Sequence, residues 1–95
     1  MIFVMDIGNT NIVLGVYEGK KLVAHWRMST DKDKLPDELG MFFISLLQYE
    51  GIGIDSIEAV IIASVVPSIM YSLENAIRKY FNVDPVLISP GTKTG

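Results

Sequence analysis

Apolar and polar positions alternate along the chain in two different rhythms. Ile2 to Met5 is an apolar run that ends in Asp6-Ile7-Gly8-Asn9-Thr10-Asn11. β-Formers ahead of a Gly/Asn cluster predict a strand and then a tight turn. Ile12 to Tyr17 predicts a second strand, Glu18-Gly19-Lys20 a short hairpin, and Lys21 to Met28 a third strand. Strands joined by such short turns must be antiparallel neighbours.

From Ser29 to Pro36 the chain turns polar, with Asp31, Lys32, Asp33 and Lys34 in alternating sign. Pro36 suits the first turn of a helix, and Asp37 and Glu38 suit its positive end. Leu39, Phe42, Phe43, Leu46 and Leu47 then recur at helical spacing. Gly51 and Gly53 end that helix. Ile57 to Ala63 is nearly continuous in apolar residues, the pattern of a strand buried on both faces. Val66-Pro67-Ser68 opens a second helix with Ile69, Leu73, Ala76, Ile77 and Tyr80 on one face, and Val86 to Ile88 is a last strand. No internal repeat or low-complexity stretch interrupts this order.

The order β-β-β-α-β-α-β describes an α/β domain of the ribonuclease-H-like fold, the building block of actin-like ATPases and sugar kinases. Right-handed crossovers would place the fourth and fifth strands beside the first and parallel to it. Ligands of such sheets bind outside the carboxyl ends of the strands. Asp6 stands at the carboxyl end of the first.

Length and charge narrow the picture. The chain has 95 residues, 49% hydrophobic and 20% charged, with a formal charge of −3. That suits one small domain, 1–95, with a modest core that a partner domain or subunit would help. No basic cluster reads as a nucleic-acid footprint; Lys20-Lys21 is a solvated hairpin tip. There is no cysteine and one histidine, His25, so neither a disulfide framework nor a thiolate or zinc centre is expected. The start, MIFVMDIG, lacks the basic leader of a signal peptide. No apolar run approaches the about 18 residues of a membrane span. A cytoplasmic setting is expected, without nucleic acid or membrane as partner.

The chemistry concentrates in Asp6-Ile7-Gly8-Asn9-Thr10-Asn11, running on into Ile12 and Val13. Phosphate transfer needs an acid to hold or orient magnesium, directly or through water. It needs a glycine where the backbone nears the phosphates. Small polar side chains and backbone N–H groups must then donate to phosphate oxygens. Asp6, Gly8 and Asn9-Thr10-Asn11 supply these in order, and asparagine tolerates a positive φ such a turn can demand. The plainer alternative is a hairpin turn rich in Gly and Asn.

With D-x-G-N-T-N at its N-terminus, the chain resembles type III pantothenate kinases. His25-Trp26-Arg27, Ser64-Val65-Val66-Pro67 and Pro90-Gly91-Thr92-Lys93-Thr94-Gly95 match the same family in order, so the resemblance covers essentially the whole chain. It implies ATP-dependent phosphorylation of pantothenate, the first step towards coenzyme A. It also implies a divalent metal, Mg2+, a monovalent cation (K+ or NH4+), and a homodimer. The family's catalytic base, in a G-A-D-R motif, and its D-x-G-T-A motif are absent from these residues. The chain is therefore expected to be the N-terminal half of a two-domain kinase, inactive alone. The missing half would supply the base, most of the cation site and most pantothenate contacts.

The remaining candidates have plainer readings. Trp26 and Arg27 point to opposite strand faces, one packed and one solvated. His25 is a strand surface residue. Phe42, Phe43, Tyr49, Tyr80 and Phe81 are mostly core, and Met41 and Met70 fill gaps in it. Gly91 and Lys93 are weak substrate-side candidates, in a loop leaving the carboxyl end of the sheet. A metal-dependent nuclease on the same fold would need several carboxylates, but Ala63 and Ser64 stand where the fourth strand would have to supply one. A non-enzymatic regulator is the other alternative, since members of this family have also been labelled transcriptional activators.

Overall fold

Strict alternation makes the first strand one-sided: Phe3, Met5 and Ile7 are buried, whereas Val4 and Asp6 face away from them. In the computed structural model, which describes residues 1–64 and 66–88, this strand is β1 (Ile2–Ile7). It is followed by β2 (Asn11–Glu18), β3 (Lys21–Ser29), α1 (Pro36–Tyr49), a single 3-10 turn at Ile54–Ser56, β4 (Ala59–Ser64), α2 (Pro67–Phe81) and β5 (Val86–Ile88). The sheet order is β3-β2-β1-β4-β5. β1 pairs antiparallel with β2 and parallel with β4, and β4 pairs parallel with β5. The antiparallel β1–β3 meander and the parallel β4 beside β1 are as expected, whereas β5 lies one strand further out, paired with β4 and not with β1.

Both helices lie on one face of this sheet. Phe3 meets Phe43 of α1 and Phe81 of α2 edge-on, each at 5.8 Å between ring centroids. A single core joins Phe3, Met5 and Ile7, Ile12 and Leu14 of β2, and Val60 and Ile62 of β4 to Leu39, Phe43 and Leu47 of α1 and Ile69, Leu73 and Ile77 of α2. α1 begins as expected, with Pro36 in its first turn and the Glu38 carboxylate accepting from the Leu35 N–H at 2.9 Å. α2 ends at Asn82, whose φ of 60° is the left-handed cap conformation. The terminal ammonium donates to the Ser56 carbonyl at 2.6 Å, and the Glu58 N–H donates to the Met1 carbonyl at 2.9 Å, so the chain start is tied to the approach to β4.

The opposite sheet face carries no helix among the described residues. Val4, Asp6, Val13, Gly15, Tyr17 and His25 line a shallow groove of about 210 Å³ there.

Several expectations need correction. β1 continues through Asp6 and Ile7, because Asp6 pairs with both Val13 and Ala63, and Ile7 with both Ile12 and Ser64. The turn is thus shorter than the motif. β4 starts at Ala59 and not Ile57, which follows the 3-10 turn directly. On α2 the buried stripe ends at Phe81, and Tyr80 is half-buried. Met41 is 56% exposed and fills no gap, and Phe42 and Tyr49 are 39% and 86% exposed. Helical spacing alone did not separate them from Phe43, because the two-helix layer covers only one stripe of α1. Trp26 does pack edge-on against Phe3, at 6.4 Å, while Arg27 and His25 are exposed.

Candidate functional site

The site is built from the place where β1 hands over to β2. Alternation puts Asp6 on the uncovered sheet face at the carboxyl end of β1, and its side chain is exposed. Its register partners there are Val13 on β2 and Ala63 on β4. Among the described residues, Asp6 forms no ion pair, and no group of three or more His, Cys, Asp or Glu residues is arranged to hold a metal ion.

Gly8, Asn9 and Thr10 connect the strands. The Gly8 N–H donates to the Asn11 carbonyl at 2.9 Å, closing the turn. In a hydrogen-bonded antiparallel pair the two residues exchange both bonds. Here the reciprocal bond, from Asn11 N–H to Gly8 carbonyl, is absent among the described residues. The Gly8 carbonyl accepts instead from the Thr30 hydroxyl at 2.7 Å, and the Thr10 carbonyl accepts from the Thr30 N–H at 2.9 Å. The N–H groups of Asn9 and Thr10 likewise have no acceptor among the described residues. Asn9, Thr10 and Asn11 are exposed, and the Asn11 side-chain amide donates to Thr10 Oγ1 at 3.3 Å. The turn therefore presents backbone donors and small polar side chains beside one free carboxylate.

Two of the expected site residues do not offer side chains to a ligand. Ile7 and Ile12 are 1% and 0% exposed and belong to the core, because they face the helices as a register pair. Val13 lies on the open face, 40% exposed, directly across from Asp6. The turn makes no use of the positive φ that asparagine tolerates: among described residues outside glycine only Asn82 has one, and the glycines that do are Gly19 and Gly51. Space at Gly8 is tight, since a β-carbon there would lie 3.1 Å from the Asn11 carbonyl oxygen. Gly91 and Lys93 lie outside the described residues. Thr30 was missed by motif reading. The antiparallel register of Asn11 with Ser29 places it opposite Thr10, and that was the available signal.

A mixed sheet in this order, with both crossover helices on one face, is the ribonuclease-H-like fold. The chain is similar to the ROK hexokinase of Thermus thermophilus, with a TM-score of 0.69 and 16% identity over 93% of this chain and 34% of that one. It is also similar to RuvC of Thermus thermophilus, with a TM-score of 0.57 and 16% identity over 94% of this chain and 63% of that one. These likenesses are of fold alone. The chain belongs to the type III pantothenate kinase family, whose model matches residues 2–95. It is 53% identical over 95 residues to the type III pantothenate kinase of Bacillus cytotoxicus, covering 100% of this chain and 36% of that protein.

Proposed function

We propose that this chain is the phosphate-binding N-terminal part of a kinase that transfers the γ-phosphoryl group of ATP to pantothenate. In that reaction the substrate hydroxyl oxygen bonds to the γ-phosphorus and the bond to the β-phosphate bridging oxygen breaks. The hydroxyl proton passes to a base, and 4′-phosphopantothenate and ADP leave. This is the first step of coenzyme A biosynthesis. The observation that carries the reading is the exposed Asp6 carboxylate at the end of β1, next to a turn whose Asn9, Thr10 and Asn11 N–H groups are free of protein acceptors among the described residues. Anion recognition by successive backbone N–H groups needs that arrangement.

Phosphoryl transfer depends on positioning and charge stabilisation. Asn9, Thr10 and Asn11 would hold phosphate oxygens, and Gly8 leaves them room to approach. Asp6 fits magnesium, which uses one or two carboxylates together with substrate phosphates and not a dedicated protein cage. The metal, when bound, would neutralise charge on the phosphates. The base is assigned to the family's G-A-D-R aspartate, outside these 95 residues, together with most of the monovalent-cation site (K+ or NH4+) and the pantothenate contacts. A cytoplasmic homodimer is the assembly this reading favours. No helix of the described residues is long and apolar enough to cross a membrane. No observation favours the regulator alternative.

Titration of magnesium and ATP into the isotope-labelled chain, followed by amide NMR, tests the reading. Shifts are expected at Gly8 to Asn11. Binding that leaves those amides unmoved would remove the phosphate-site assignment.

A further inference from the structure

The geometry points to Thr30 as the positioning residue of the phosphate turn, an inference that rests on the reading above and extends it. Thr30 follows the last residue of β3 and is half-buried. It makes two contacts to the turn across the sheet: its hydroxyl donates to the Gly8 carbonyl at 2.7 Å and its N–H donates to the Thr10 carbonyl at 2.9 Å.

The consequence follows from peptide geometry. In a trans peptide the carbonyl of one residue and the N–H of the next point in opposite directions from the same plane. There is no cis peptide bond among the described residues. Holding the Gly8 carbonyl towards Thr30 therefore turns the Asn9 N–H away from it. Holding the Thr10 carbonyl towards Thr30 turns the Asn11 N–H away as well. Thr30 lies on the β3 side of the turn, so both donors point away from β3, and neither meets a protein acceptor among the described residues.

The hydroxyl also competes with an alternative state. Without it, the Gly8 carbonyl is free to take the Asn11 N–H and complete an ordinary hydrogen-bonded pair. That would withdraw one donor from the site and turn the Asn9 peptide. The hydroxyl thus selects between a closed hairpin turn and an open anion-binding turn, and it does so without touching the ligand.

Thr30→Val removes only the hydroxyl bond, keeping the shape and the backbone N–H. Thr30→Ser keeps both bonds. Magnesium and ATP titrated into each chain, read by NMR at the Asn9 and Asn11 amides, should bind about tenfold more weakly to Thr30→Val. Thr30→Ser should stay within about twofold of the parent chain. Far-ultraviolet circular dichroism checks that each variant is folded. Hydrogen exchange on the parent chain needs no variant: the Asn9 and Asn11 amides should exchange freely and gain protection with the nucleotide. Equal affinity in Thr30→Val and the parent would overturn the positioning role and leave the phosphate reading standing. So would a Thr30→Ser loss as large as that of Thr30→Val, which would assign the effect to the methyl group. Absence of nucleotide protection at both amides in the parent would overturn the phosphate reading and this inference together.

Discussion

Gly40 of α1 lies directly under the ring of Tyr80 of α2, where a β-carbon would overlap the ring edge. The close helix approach depends on that missing side chain. Alanine would favour the helix by about 1 kcal/mol at an open site. Here the ring must shift as a body, because the atoms a β-carbon would meet include Tyr80 Cγ. Overpacking of this kind costs about 1–3 kcal/mol. Gly40→Ala is therefore expected to lower stability in urea, and Tyr80→Ala in the same chain should turn the alanine from harmful to neutral or favourable.

The same helix pair carries a pH-sensitive cluster. Lys79 Nζ and Tyr80 Oη both donate to Asp37 Oδ1, at 2.8 Å and 2.6 Å. The Lys79 bond first, and the Tyr80 bond second, hold the Asp37 carboxyl below its ordinary 3.8. The Asp37 carboxylate raises Lys79 and Tyr80 in return. A depressed carboxyl contributes stability that is complete above 3.8 and lost as pH falls through the lower folded value. The raised groups contribute below 10.5 and 10.0 and lose it as pH rises through their folded values. The cluster is exposed, so its contribution is small. NMR titration should find that Lys79→Met moves the Asp37 midpoint upward, and the acid limb of the stability curve should flatten with it.

Phe3 ties the sheet to both helices and is 0% exposed. Phe3→Ala should cost about 3–5 kcal/mol in urea denaturation, a large share of the about 5–15 kcal/mol a domain has. Tyr49→Ala, at a side chain 86% exposed, should stay within about 0.5 kcal/mol.

That contrast marks where sequence reading worked. The strands were legible because β1 alternates Phe3, Met5 and Ile7 against Val4 and Asp6, and because Gly19 and the Asn9-Thr10 turn break the runs sharply. The sheet order followed from chain connectivity and handedness. Which side of α1 was buried was less legible: Phe42 and Phe43 are adjacent and equally apolar, and only the line of α2 across the sheet decides between them. At the site, Asp6 and Gly8 announce themselves by type and spacing. Thr30 does not, since its role comes from register across β2 and β3, a long-range relation that no local motif encodes.

Asp6→Asn tests the carboxylate with minimal change in shape. The side chain is exposed and has no protein partner among the described residues, so stability should change by less than about 0.5 kcal/mol. On the kinase reading proposed above, ATP turnover by a full-length protein carrying this sequence should fall by about 100-fold or more, with the loss deeper in kcat than in KM for ATP. Turnover near that of the parent would show that the carboxylate takes no part in phosphoryl transfer.

Gly8→Val separates a binding turn from a mere connection. No positive φ at Gly8 penalises a side chain, so the cost is one of contact. The first added carbon would stand 3.1 Å from the Asn11 carbonyl oxygen, the acceptor that closes the turn. The chain must open that bond by a few tenths of an ångström, and valine's two methyl groups then need room beside the same turn. A stability loss of about 1–3 kcal/mol is expected on either reading. What differs is the ligand. If phosphates approach the backbone between Asp6 and Asn11, the methyl groups stand in their path, and magnesium–ATP binding should disappear from the folded fraction. Titration of the folded variant, with circular dichroism as the control for fold, reads that difference directly. Affinity unchanged from the parent would reduce Gly8 to a spacer between two strands and take the phosphate turn out of the mechanism.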